Sequence, residues 1–106
     1  MIHNSVKPDQ IGLKPHHCQL IENALMRSSA IESAWLFGSR AMGTFKDSSD
    51  IDIAIKGKHL TLDDIAQLQD IFEQSSLPFK VDIVAIDRIS NDALFAHIPC
   101  YGLQIK

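Results

Sequence analysis

An α/β sandwich with helices on one face of a sheet is the fold class this sequence predicts. Short apolar or alternating runs at Ser33 to Phe37, Asp50 to Ile55 and Lys80 to Ile86 mark strands, and amphipathic stripes that begin at Pro15 and Thr61 mark helices between them. The order is helix, strand, strand, helix, strand, helix. No internal repeat or low-complexity segment competes with that reading.

Each element has its own cause. Residues 1–12 are mixed and turn-rich, so they are expected to form an irregular lead-in to a single domain spanning residues 13–106. Pro15 suits a first helical position, and Leu20, Ile21, Ala24 and Leu25 make a stripe that Ser28 and Ser29 end. SAWLF stops at Gly38, as a buried strand does on entering a tight turn. Ile51, Ile53 and Ile55 alternate with Asp50, Asp52 and Ala54, which gives one face to the core and the other to the aspartates. Thr61 and Asp64 resemble a capping box, followed by a stripe of Leu62, Ile65, Ala66, Leu68 and Phe72. KVDIVAI is β-branched and apolar around Asp82, a third strand. Ser90 or Asn91 caps a last short helix through Ala93, Leu94 and His97, broken at Pro99, and Tyr101 to Ile105 add an edge strand.

Composition removes several function classes. A net charge of −3 with no cluster of Lys or Arg lacks the electrostatic footprint of a duplex nucleic-acid binder. The N-terminal segment has no apolar signal region and no apolar run is long enough to span a bilayer, so a cytoplasmic protein with no membrane partner is expected. Cys18 and Cys100 lack metal or redox spacing and read as reduced, partly buried thiols. His16 and His17 are not at i,i+4, and His3, His59 and His97 are isolated, which disfavours zinc.

The chemistry lies between Gly38 and Asp82. Asp50 and Asp52 share one strand face two rises apart, a spacing from which both can reach a hard cation such as Mg²⁺. Asp82 can complete a two-metal clamp if its strand pairs beside theirs. Gly38 and Ser39, followed by a short helical start at Arg40, offer backbone N–H groups and a hydroxyl to phosphate oxygens. Arg40 either joins them on a phosphate or pairs with Asp47 or Asp50. Singly, each has a plainer explanation: an Asp-x-Asp is usually a wet strand face, and a Gly-Ser is usually a turn.

In combination, GSRAMG at 38–43, SDIDIAI at 49–55 and VDIVAI at 81–86 resemble the signature of the minimal nucleotidyltransferases, the smallest members of the DNA polymerase β-like nucleotidyltransferase superfamily. The resemblance spans about Leu13 to Ile105 and implies a two-layer, polymerase β-like palm with a mixed sheet. It implies that Gly38 and Ser39 bind the triphosphate, that Asp50 and Asp52 hold two Mg²⁺ ions, and that Asp82 binds the catalytic ion and helps deprotonate the acceptor hydroxyl. Many relatives carry a basic residue where this chain has Met42, which removes one phosphate contact. The implied reaction moves AMP from ATP to a hydroxyl and releases pyrophosphate. The implied partner is a HEPN-domain toxin-like protein modified on a tyrosine, with this chain as the antitoxin of a type VII toxin–antitoxin pair.

Two other readings stand beside that one. A binding module could neutralise a partner by occlusion, using an apolar patch that includes Phe45, Phe95 or Tyr101. Transfer to a small molecule is disfavoured because 106 residues leave no second domain to build an acceptor pocket. The sequence leaves open the acceptor, the base preference and any homo- or hetero-oligomer.

Overall fold

The computed structural model describes residues 8–88, 98 and 102–106. Its elements are helix α1 (Pro15–Met26), strand β1 (Ser33–Phe37), one helical turn α2 (Ser39–Met42), strand β2 (Ile51–Lys56), helix α3 (Leu62–Glu73), strand β3 (Val81–Ala85) and a short strand β4 (Leu103–Gln104). The sheet order is β3-β2-β1-β4. β1 lies antiparallel to both β2 and β4, whereas β2 and β3 run parallel, so the sheet is mixed. A parallel pair needs a crossover, and α3 supplies it.

Alternation along the strands sorts the two faces. Ala34, Leu36, Ile51, Ile53, Ile55, Val81 and Ala85 are buried in one cluster with Ile21, Leu25, Leu68 and Phe72 of α1 and α3. On the opposite face, Phe37 and Ala54 are buried with Ile98, and Trp35, Val84 and Ile86 pack beside them. That second face is therefore apolar toward one end of β2 and β3 and acidic toward the other. Among the described residues, Ile98 packs with Phe37 and Ala54; the final helix expected over residues 90–97 falls outside the described residues, as do Tyr101 and Cys100.

Local signals explain the boundaries. Pro15 opens α1, and at its far end Lys106 Nζ donates to the carbonyls of Leu25 (2.9 Å) and Ser28 (3.3 Å), serving orphan acceptors near the helix end. Thr61 and Asp64 form the expected capping box: Asp64 N–H donates to Thr61 Oγ1 (3.2 Å) and Thr61 N–H to Asp64 Oδ2 (2.9 Å). Gln69 Nε2 donates to Val81 O (2.7 Å), tying α3 to the start of the edge strand β3.

Three details differ from the sequence reading. Leu62 is 64% exposed and Ala66 is exposed, because the buried stripe of α3 is displaced to Ile65, Leu68, Ile71 and Phe72. Among the described residues the edge strand spans Leu103–Gln104, although Ile105 is also buried and its N–H donates to Ala34 O (2.8 Å). The lead-in is docked as far as it is described: Pro8–Ile11 form a 3₁₀ turn, and Ile11 and Leu13 are core residues.

Cys18 is a buried free thiol, as the sequence reading expects, and burial pushes its pKa up. His17 is also buried, packed edge-on against Phe79 at 5.3 Å between ring centroids. Lys14 N–H donates to its Nδ1 (3.2 Å), which requires that nitrogen to be unprotonated. Desolvation, with His16, Lys14 and Arg40 nearby, lowers its pKa from the ordinary 6.5.

Leu68→Ala should cost about 2–5 kcal/mol in urea denaturation, against less than about 0.5 kcal/mol for Leu62→Ala. His17 makes a further prediction. Its folded pKa is depressed, so the stability it contributes is present above the unfolded value near 6.5 and is lost as pH falls through the folded one. Denaturation curves should show that loss, and His17→Gln, which removes the titrating ring, should flatten it.

Candidate nucleotide and metal site

The site starts where β1 ends. Gly38 has φ 77° and ψ −156°, a region open essentially to glycine alone. The β1–β2 register pairs Phe37 with Asp52, so the next residue, Gly38, lies against the Asp52 carboxylate. A methyl group at Gly38 would run into Asp52 Oδ2 and lie 3.2 Å from its Cγ. The chain then makes the single turn of α2, with Met42 N–H donating to Gly38 O (3.1 Å), and leaves it through Gly43 at φ 79°. Ser39 is therefore held half-buried at a fixed turn beside Asp52.

The parallel β2–β3 register supplies the rest. Asp52 stands directly across from Asp82, and both are half-exposed on the face opposite α1 and α3. Ile51 N–H donates to Lys80 O (2.9 Å), so pairing extends one step before β3 and sets Asp50 beside Lys80 in register. Asp50, the last residue of the loop, is exposed. All three aspartates singled out in the sequence thus lie at one end of one sheet face.

Lys80 was not singled out in the sequence, and it sits in this group. Its Nζ is 3.7 Å from Asp82 Oδ1, with the two side chains 72% and 46% exposed. An ion pair so open to water contributes little to stability. The signal was its position two residues before Asp82, on the same strand face.

Arg40 is where the sequence expectation and the structure part. It is 1% exposed and its guanidinium points into the protein, not toward the Gly38–Ser39 turn's phosphate-facing side or a carboxylate. Nη1 donates to the carbonyls of Ile11 (3.0 Å) and Gly12 (3.1 Å). Nη2 donates to those of Ser49 (2.8 Å) and Asp47 (3.5 Å), and Nε donates to Ser49 (3.2 Å). A guanidinium has five N–H donors, so all are engaged. Its carbon lies 4.5 Å from the centroid of the Phe79 ring and 5.4 Å from that of Phe45. Burial lowers its pKa, while the charges of Asp47 and Asp50 act in the other direction. The pairing considered with Asp47 is made to that residue's backbone carbonyl.

Among the described residues, no group of three His, Cys, Asp or Glu side chains is disposed to hold a metal ion as it stands. The donor set still fits Mg²⁺ in kind, being oxygen only. Mg²⁺ is usually bound by one or two carboxylates together with waters and substrate phosphates, not by a closed protein cage. Asp52 and Asp82, adjacent and open to solvent, match that habit.

A groove of about 520 Å³ between α1 and α3, lined by Leu20, Arg27, Asp70 and Phe72 among others, lies in the helical layer, away from this group. No helix among the described residues is long and apolar enough to cross a membrane.

Comparison with known proteins agrees with the geometry. The family model described as polymerase beta, nucleotidyltransferase matches residues 19–105. The chain is 32% identical over 85 residues to the Haemophilus influenzae protein named Probable protein adenylyltransferase MntA, an alignment covering 78% of this chain and 74% of the relative. Among solved structures, a toxin–antitoxin crystal structure with AMP-PNP superposes with a TM-score of 0.68 at 27% identity, covering 82% of this chain and 70% of the other. A rebuilt structure of a tri-AMPylated Shewanella oneidensis HEPN toxin with its MNT antitoxin has the same fold, with a TM-score of 0.56, 24% identity and the same shares covered. On the family match over residues 19–105 and the similarity to the Haemophilus influenzae relative, the chain belongs to the polymerase beta nucleotidyltransferase family.

Proposed function

We propose that this chain transfers AMP from ATP to a hydroxyl of a protein partner, and that the partner is a HEPN-domain toxin whose activity the transfer neutralises. The observation that carries the reading is the register that sets Asp52 across from Asp82, beside the Gly38–Ser39 turn. The relative named as a protein adenylyltransferase supports AMP as the group moved, and the toxin–antitoxin structure with AMP-PNP supports ATP as its source and a toxin as its target.

Roles follow from position. Gly38 lets the backbone approach a phosphate closely, and Ser39 donates its hydroxyl and N–H to the triphosphate. Asp52 and Asp82, with Asp50, would hold two Mg²⁺ ions, which offset the charge of the triphosphate and lower the pKa of the acceptor hydroxyl. Asp82 would take the acceptor's proton, the role the family resemblance implies for it. The acceptor oxygen forms a bond to the α-phosphorus, the bond from that phosphorus to the bridging oxygen breaks, and pyrophosphate leaves with the electron pair. Lys80, whose Nζ lies 3.7 Å from Asp82 Oδ1, is a positive charge near the proposed site that would be available to the departing phosphates. Use of ATP and a reduced, buried Cys18 support a cytoplasmic setting.

Intact carboxylates favour catalysis over occlusion. Mass spectrometry after incubation with partner, ATP and Mg²⁺ should show an AMP-sized increase on the partner. Asp52→Asn or Asp82→Asn should lower the rate by at least about a hundredfold, and neutralisation should be lost with it. Unmodified partner that is nevertheless neutralised, by wild type and variants alike, would establish occlusion instead. Gly38→Ala places a methyl group against Asp52 and strains the turn, so transfer should fall at least about tenfold with the chain still folded by circular dichroism.

A further inference from the structure

We infer that Arg40 is a positioning residue for the carboxylates: it fixes Ser49, and through Ser49 the adjoining Asp50, and it couples that placement to the N-terminal segment at Ile11 and Gly12. The inference rests on the proposed role of Asp50, Asp52 and Asp82 as cation ligands.

The geometry is specific to a guanidinium. Its donors are divided between two chain segments, one 28 and 29 residues away in sequence and the other 7 and 9 residues away. A planar fork can serve carbonyls on two sides at once, whereas a lysine ammonium is a single point. Phe79 and Phe45 flank the group and limit its movement. Gly12, at φ 70°, lets the Phe45 ring pack closely, since a Cβ there would overlap it. Gly12 thus takes part twice, through its carbonyl and through its missing side chain.

What Arg40 grips is already a closed unit. Ser49 N–H donates to Lys46 O (3.0 Å), and Lys46 N–H donates back to Ser49 Oγ (2.7 Å), which fixes the turn between them. Arg40 makes two of its bonds to Ser49 O, the carbonyl of the peptide that continues into Asp50. Immediately after Asp50, Ile51 enters β2 and donates to Lys80 O. Asp50 is therefore the one residue between a clamped carbonyl and a paired strand. The same Arg40 belongs to α2, so the clamp also sets the distance between that carboxylate and the Ser39 turn.

A buried side chain of purely structural value would affect stability alone. Positioning makes a separate demand: cation affinity should fall further than stability explains. The test uses Mn²⁺ alone as the probe, titrated calorimetrically into the full chain, with transfer kinetics measured in parallel. Arg40→Met should weaken Mn²⁺ binding about tenfold or more, the range found when groups that orient metal ligands are removed. Arg40→Lys should recover part of it, and the milder Phe79→Leu should weaken it about two- to fivefold by loosening one flank. Leu68→Ala, destabilised in the core, should bind Mn²⁺ like wild type, and kcat should drop in Arg40→Met more than KM for ATP rises. Folded Arg40→Met with wild-type Mn²⁺ affinity would overturn the inference, as would Leu68→Ala losing as much affinity. If Arg40→Met does not fold, Phe79→Leu decides, and unchanged affinity there overturns it. A wild-type chain with no affinity for Mn²⁺ would overturn the carboxylate reading itself, and the inference with it.

Discussion

A positive charge taken out of water must be fully hydrogen-bonded or it destabilises the fold by several kcal/mol, and Arg40 meets that condition with carbonyls from two separate loops. Because those carbonyls belong to Ile11, Gly12, Asp47 and Ser49, satisfying one side chain determines the path of the lead-in and of the loop between β1 and β2. Neither segment has a strand or long helix to hold it. The guanidinium, flanked by Phe45 and Phe79, serves as their common core. His17, stacked edge-on to the same Phe79, extends that packing to the start of α1.

The second constraint is the register of a parallel strand pair. Asp82 is 30 positions from Asp52 in sequence, yet the pairing of β2 with β3 puts them side by side. A slip of one residue would send Asp82 into the apolar layer beneath and Val81 out to solvent, so the core residues Val81 and Ala85 hold the carboxylate in place as surely as any contact of its own. Ile98, the described apolar cover of this face, packs with Phe37 and Ala54, while Asp52, in register with Phe37, and Asp82 beside it are half-exposed.

Much of this was legible in the sequence. The alternation of Ile51, Ile53 and Ile55 with the aspartates gave the face, the capping box at Thr61 gave the start of α3, and Gly38 was readable as a turn because nothing else ends an apolar strand so abruptly. Arg40 was not legible in its real use. An arginine next to a Gly-Ser turn looks like a phosphate ligand, and no local pattern reveals that its acceptors are backbone carbonyls up to 29 residues away. Backbone acceptors have no sequence signature. The exposure of Leu62 escaped for a related reason: it stands in the first turn of α3, where the apolar stripe has not yet reached the sheet. Lys80 was hidden by its ordinariness, since its meaning depends on the strand placing it beside Asp82.

The proposed site divides labour: the aspartates face the nucleotide while Arg40 stays inside and holds the loop. A crystal structure of the chain with AMP-PNP and Mn²⁺, phased to locate the metal by its anomalous signal, tests both halves at once. The expected result is a metal peak at Asp52 and Asp82, with the triphosphate on Gly38 and Ser39 and the Arg40 guanidinium still on the carbonyls of Ile11, Gly12 and Ser49. A nucleotide bound with no metal peak at these aspartates, or an Arg40 side chain turned out onto the phosphates, would contradict it.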